Sequence, residues 1–367
     1  MSESPRISVL MAAYNAEAYI PQAIESVLTQ TFQAWELVIV DDGCTDTTGQ
    51  IAEAYSVRDR RIRCYRNESN LGIGPTRRRT LDLARGHYAA VLDADDAALP
   101  DWLSRRVAFL DAHEEVAVAS GSRILTDDRG RRLGITREGA PPEVLQWQLL
   151  FGNPINNSSA VFRVTAALSV GGYRDYPYLE DWNLFARLSG SGRIVQSNEP
   201  RVMYRVHRLS ASRTLGSDRV LLEPISRHIM AETVKRETGL TVPEELAWPL
   251  FRGRMPFTAR ERECSEALDF LLLALGEFLK RVPAQWHGAV AVAMLHDAAH
   301  VLRSGGWNLR QRWKALRSVV SRGGLRSLGS TTRGARAALK LLLPRRTAVR
   351  LPGARRWSAD GDLARGA

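Results

Sequence analysis

The chain reads as an α/β protein, a Rossmann-like mixed sheet flanked by helices, with a helical C-terminal region. Three observations predict it. Leu37-Val38-Ile39-Val40 is a continuous apolar run, the mark of a strand buried on both faces. Short apolar strands alternate with helical periodicity through Leu92, which implies βαβ units and a right-handed, mostly parallel sheet. From Val220 onward only helical periodicity remains.

In order, residues 7–12 form the first strand, broken by Tyr14-Asn15. Ile20, Ala23, Ile24, Val27 and Leu28 recur at helical spacing. The strand at 37–40 runs straight into Asp41-Asp42-Gly43, with Thr45 or Asp46 as cap of a helix whose inner face is Ile51, Ala52 and Tyr55. Ile62-Arg63-Cys64-Tyr65 alternates as a short strand. Asn70-Leu71-Gly72-Ile73-Gly74 turns into a helix over about 75–84, with Pro75 in its first turn and Gly86 at its end. A strand at 88–92 ends in a second acidic cluster, Asp93-Ala94-Asp95-Asp96, where Asp96 suits a cap for the helix carrying Leu103, Val107 and Leu110. Beyond it, 116–120 predicts a strand, 123–142 a loop or hairpin, and 157–162 a strand. Gly171-Gly172-Tyr173 is a turn, 179–188 a helix and 202–206 a last strand. The expected divisions are 1–215 for the sheet domain (a first half to about 100 and a second from 101), 216–325 for the helices, and a basic tail at 326–367.

The formal net charge is +11 and leans on arginine, since Lys235, Lys280, Lys314 and Lys340 are the only lysines. Such a surface attracts anionic lipid, glycan or nucleotide, although a GC-rich genome produces the same skew. Cys44, Cys64 and Cys264 have no paired spacing, which points to a reducing compartment and away from a zinc framework. A strand beginning at Ile7 leaves no room for a signal peptide, and no run reaches the roughly 18 to 20 apolar residues that span a bilayer. The expected location is therefore cytoplasmic, peripheral on the inner face of the membrane. The arginine-flanked apolar patch at 337–343 is the candidate contact with an anionic membrane. No nucleic-acid module is recognisable, so no nucleic-acid partner is expected.

The blocks Val9-Leu10-Met11-Ala12-Ala13-Tyr14-Asn15, Asp41-Asp42, Asn70-Leu71-Gly72, Asp93-Ala94-Asp95-Asp96, Gly171-Gly172-Tyr173, Glu180-Asp181 and Tyr204-Arg205-Val206-His207 stand in this order. Together they resemble the family 2 glycosyltransferases, from Ile7 to about Ser212. The resemblance implies the GT-A fold, inverting transfer from a nucleotide-diphosphate sugar, and a divalent cation, Mg²⁺ or Mn²⁺. The implied acceptor is a glycan or lipid-linked hydroxyl in cell-surface polysaccharide biosynthesis. Hard cations suit carboxylate oxygens and a diphosphate leaving group.

Residue by residue, the resemblance places Asp95 and His207 on the metal. It places Ala13, Tyr14, Asn15, Asp42, Arg77, Asp93 and Ala94 on the donor. Asp42 would accept the N–H of the base ring, which fits uracil or guanine but not adenine. Arg77 would reach toward the diphosphate, with Arg78 and Arg79 as rivals for that role. Asp181 matches the general base that takes the acceptor proton, with Gly171, Gly172 and Glu180 on the acceptor side. Cys44 stands where the family usually has serine, a tolerated change with no paired base to make it a nucleophile. An inert sugar-nucleotide or glycan-binding protein of the same fold is the alternative, and the intact Asp42, Asp93, Asp95 and Asp181 argue against it. Gly72-Ile73-Gly74 lacks the third glycine of a dinucleotide loop, and His296-Asp297-Ala298-Ala299-His300 lacks the glutamate of a zinc protease helix. The Gln-x-x-Arg-Trp motif of processive synthases is absent.

Overall fold

The structure, a computed structural model, describes residues 4–208, 210, 214, 218–251 and 261–304. Strands β1 (Ile7–Ala13), β2 (Trp35–Asp41), β3 (Ile62–Arg66) and β4 (Tyr88–Val91) are parallel and lie in the order β3-β2-β1-β4. The order reverses between β1 and β4, the switch point outside whose carboxyl ends such sheets bind ligands. The sheet then becomes mixed. β8 (Val161–Arg163) runs antiparallel to β4, β6 (Val116–Thr126) antiparallel to β8, and β9 (Arg193–Arg205) parallel to β6. β5 (Ala97–Ala98) pairs with β9, and β7 (Arg132–Ile135) closes a hairpin on β6.

The period of two in the strands decides which helices cover which face. Ile7, Val9 and Met11 of β1, with Leu37 and Ile39 of β2, pack under α1 (Ile20–Leu28), α2 (Thr48–Arg58) and α4 (Trp102–Ala112). Leu10 and Val38 face the other way, toward α3 (Ile73–Asp82), α5 (Pro142–Leu149) and α7 (Glu180–Leu188). That second core does not stop at the sheet domain. It continues into α8 (Arg219–Thr238), α9 (Glu244–Leu250), α10 (Glu261–Leu279) and α11 (His287–Ser304). Trp182 of α7 stacks on Phe251, and Trp147 of α5 meets the Phe278 ring edge-on while its Nε1–H donates to Asp297 at 2.8 Å. The carboxylate between His296 and His300 therefore serves packing.

Several elements differ from the sequence reading. Residues 123–142 hold the end of β6, the β7 hairpin and the start of α5. The expected strand at 157–162 is a 3-10 turn, Asn157–Ser159, ahead of a shorter β8. Serine and asparagine hydroxyl and amide bonds hold that turn, including Ser120 to Ser159 at 2.8 Å. The last strand begins at Arg193 rather than 202, because pairing with β6 carries it through a polar stretch. A further helix, α6 (Val164–Ser169), follows β8. Asp96 does not cap α4, which starts at Trp102 after Asp101; it accepts the Arg205 N–H at 2.9 Å. Among the described residues no helix is long and apolar enough to cross a membrane. The basic tail, with its 337–343 patch, lies outside the described residues.

Candidate active site

At the ends of β1 and β2 two loops are tied together. Asn15 adopts a left-handed φ of 46°, and its side-chain oxygen accepts the Thr45 N–H at 2.9 Å. The Asn15 N–H donates to Cys44 Sγ at 3.2 Å, and the thiol donates to Ala13 O at 3.4 Å. Burial, with the Asp41 carboxylate beside it, pushes the Cys44 thiol up to about 12, so it stays protonated. Asp41 accepts the Cys44 N–H at 2.7 Å and pairs with Arg66 at 3.1 Å. Asp46 accepts the Thr48 N–H at 3.0 Å at the start of α2.

Asp42 holds the next loop. Its carboxylate accepts from Asn67 Nδ2 at 2.7 Å and from the N–H groups of Leu71 and Gly72 at 2.9 and 3.0 Å. A carboxylate has about four acceptor sites, so roughly one is left over. Tyr14, half exposed, stands on the adjoining loop and Ala13 ends β1.

The second acidic cluster splits its tasks. Asp93 pairs with Arg77 Nη2 at 2.6 Å and accepts the Ser158 hydroxyl at 2.8 Å. Asp95 Oδ2 lies 2.8 Å from His207 Nε2, and Ala94, between Asp93 and Asp95 in the chain, is buried. The His207 ring rests 4.7 Å from Tyr19, and its buried Nδ1 has no partner among the described residues. Arg205 fixes the loop from behind through Asp95 O at 2.9 Å and Asp128 O at 2.9 Å.

The 2.8 Å between Asp95 and His207 suits a metal pair. Adjacent ligands of an octahedral ion with bonds of about 2.1 Å lie about 3 Å apart. No group of three or more metal-binding side chains occurs among the described residues. A divalent cation bound here would be held by Asp95 and His207 and would supply positive charge beside the Asp93 loop.

Arg77 joins this cluster to α7. It is buried, and besides Asp93 it pairs with Glu180, which is also buried. Asn157 turns its amide oxygen to Arg77 at 2.8 and 3.1 Å. Burial pushes the Glu180 carboxyl up to about 7 against the opposing pull of Arg77. Arg78 and Arg79 point elsewhere: Arg78 reaches an exposed Asp175 at 3.4 Å, and Arg79 donates to Arg66 O at 2.8 Å.

Asp181 is only partly covered. Its Oδ1 accepts the N–H of Trp182 at 2.7 Å and its Oδ2 accepts Asn153 Nδ2 at 2.9 Å. Burial holds its carboxyl above the ordinary range, while Arg77 and these two donors pull it down. Leu179, just before the pair, has a φ of 64°. A branched side chain in the left-handed region costs about 1–3 kcal/mol, and such strain concentrates at functional sites. Gly171 and Gly172, with φ of 84° and 64°, end α6 by donating to Leu168 O and Ala167 O at 2.9 and 2.8 Å. Only a residue without a side chain takes two such conformations in succession at little cost.

Asn153, Asn157 and Ser158 were given no role by the sequence, and Tyr173 entered only as part of the Gly171-Gly172-Tyr173 block. Tyr173 is buried with its hydroxyl unpartnered among the described residues. The two asparagines and the serine are neutral and lie in irregular or 3-10 backbone, and nothing in their spacing separates them from ordinary loop residues.

The profile of the family described as "Glycosyl transferase family 2" matches residues 8–163. An uncharacterized glycosyltransferase of Haemophilus influenzae is 32% identical over 217 residues, covering 56% of this chain and 67% of that protein. The amylovoran biosynthesis glycosyltransferase AmsE of Erwinia amylovora is 29% identical over 205 residues, 54% of this chain and 75% of its own length. Among solved structures, S. aureus TarS 1-349 superposes with a TM-score of 0.52 at 19% identity, over 92% of this chain and 88% of that one. TarS 1-349 has also been crystallised with UDP and with UDP-GlcNAc. The superposition speaks for the fold, and the sequence matches speak for descent: this chain belongs to glycosyltransferase family 2 and is a glycosyltransferase.

Proposed function

We propose that the protein moves a sugar from a UDP-sugar to a hydroxyl of a glycan or lipid-linked acceptor with inversion, in cell-surface polysaccharide biosynthesis. The observation that carries this is the Arg77 bridge. Arg77 ties Asp93, two residues before Asp95, to Glu180 next to Asp181, and reaches Glu180 across 103 residues of sequence. A donor site and a proton acceptor are thereby held in one rigid frame. The relative named for amylovoran biosynthesis and the UDP complexes of TarS support the polysaccharide and UDP parts of the reading.

In this reading Asp42 and Tyr14 hold the base, with Ala13 and Asn15 shaping the loop around it. Asp93 and Ala94 flank the ribose and diphosphate. A divalent cation on Asp95 and His207 would neutralise charge on the departing diphosphate. Asp181 accepts the proton of the attacking hydroxyl through a lone pair left by Trp182 and Asn153. Arg77 acts on the donor through Asp93. Glu180, Gly171 and Gly172 form the acceptor side.

Donor binding is tested by thermal unfolding. UDP with Mn²⁺ at a hundredfold its Kd should stabilise the protein by about 2.7 kcal/mol. His207→Ala should remove the Mn²⁺-dependent part and keep a weaker response to UDP alone. A wild-type protein indifferent to every nucleotide tried would overturn the donor assignment.

Asn153→Ala should lower kcat by about tenfold, the value of one hydrogen bond to a charged group. Asn153 favours the ionised form of Asp181, so its loss raises that pKa. A base must be ionised, so activity is lost as pH falls through the pKa. The acid limb of kcat should accordingly move to higher pH, with UDP binding unchanged. An unmoved limb would show that Asn153 has no hold on the base.

A further inference from the structure

The loop at 173–178 has two sides. Its backbone abuts α3, where a Cβ on Gly74 would lie 2.3 Å from Tyr176 O and 2.8 Å from Arg174 O. The side chains of Arg174 and Tyr176 turn toward α8, with Arg174 on Glu232 at 2.7 Å and the Tyr176 ring 6.2 Å from His228. On that second side an open cavity of about 550 Å³ is lined by Arg174, Arg187, His228, Glu232, Lys235 and Arg236. Four of these are permanent cations and one is an acid, a formal balance of +3 with histidine neutral.

Arg187 and Lys235 are fixed by uncharged acceptors, Arg174 by Glu232, and Arg236 by acceptors of both kinds. Arg187 donates to Asn183 at 3.0 Å, to Gly172 O at 2.6 Å and to Val170 O. Arg236 donates to Ala186 O at 2.6 Å and to Ser189 at 3.3 Å, and Lys235 to Gly239 O at 2.9 Å. Glu237, outside the lining, pairs with Arg236 at 2.7 Å, while Glu232 is shared between Arg174 and His228. The Arg236 bonds staple α8 to α7, the Arg187 bonds tie α7 to the turn after α6, and the Lys235 bond closes the end of α8; amides would make such bonds without gathering like charges. The crowding has a cost: burial and the neighbouring Arg174 push the Arg187 guanidinium down to about 10. An anion in the cavity would relieve it.

We propose that this cleft binds a phosphate ester. Planar guanidinium forks match phosphate oxygens in pairs, and the cavity is large enough for an attached polyol or sugar. The site differs from the donor site. Arg187 lies six residues past Asp181, about 9 Å along the α7 axis, and the backbone of the 173–178 loop lies between the cleft and α3. Two sources share this chemistry, a soluble sugar phosphate and the headgroup of an anionic lipid. The inference stands apart from the role of Asp181.

The test uses the full chain and calorimetry at low salt. The probes are glucose 1-phosphate and a soluble short-chain phosphatidylglycerol below its micelle concentration. The variant is Arg174→Gln with Lys235→Gln, which leaves the Arg187 and Arg236 staples in place; UDP binding reports that it remains folded. The wild type should bind one or both probes, more weakly as salt rises, and the variant should lose about tenfold or more in affinity. Preference for glucose 1-phosphate identifies a soluble ester, and preference for the phospholipid identifies a headgroup. Equal titration by wild type and variant, or binding of neither probe by the wild type, overturns the proposal.

Discussion

Asp181→Asn is expected to cut sugar transfer by about 10²- to 10⁴-fold, the range for loss of a general base, while UDP binds as in the wild type. The substitution keeps the size of the side chain and an oxygen that accepts the Trp182 N–H, now made at 2.7 Å. What it loses is the ability to take a proton. In the proposed function the donor is held from the ends of β1 and β2 and the Asp93 loop, without this side chain. Product formation measured beside UDP calorimetry separates the two effects. Wild-type turnover by this variant would refute Asp181 as the base and move the search to Glu180, which burial holds at about 7.

The second large effect concerns stability. Arg77→Met leaves the Glu180 carboxylate buried without its cation and removes the main partner of Asp93. Breaking a buried pair by removing one member costs about 3–5 kcal/mol, measurable by urea unfolding. The cost should depend on pH. A carboxyl whose folded pKa is raised above its unfolded one favours the folded state at low pH and loses that contribution as pH rises. For Glu180 the window runs from the ordinary carboxylate range up to about 7. Without Arg77 the penalty in that window should deepen, so the variant should approach wild-type stability at acid pH and fall furthest behind above neutrality. Adding Glu180→Gln should recover part of the loss. A deficit that ignores both pH and the second substitution would mean the bridge is not what Arg77 contributes.

The parts of the fold that the sequence exposes are those where a repeating pattern coincides with burial. The apolar run at 37–40 became a fully buried β2, and the acids that follow β2 and β4 became loops at the switch point. Arg77 could have been separated from its neighbours on the same grounds, since it shares a helical face with the buried Leu81 four residues on. Other features depend on partners far along the chain. The polar stretch Gln196-Ser197-Asn198-Glu199-Pro200 looks like a loop until β6 pairs with it. Pro141-Pro142 reads as a break, yet it opens α5, whose Trp147 is buried. Asn153 reaches Asp181 across 28 residues, and Ser158 reaches Asp93 across 65, contacts no local pattern encodes.

The continuous core behind α7 bears on how such enzymes diversify. The helix that carries Asp181 has its inner face, Trp182 included, packed in one core with Phe251, the residue that follows α9. The C-terminal helices are thus a splint for α7, the helix of the proposed base. A relative that exchanged them wholesale to gain a new acceptor would shift Asp181 unless the aromatic seam at Trp147, Trp182, Phe251 and Phe278 came with them. Acceptor range is therefore freer to change through loop substitutions facing the crevice than through replacement of the helical region as a module.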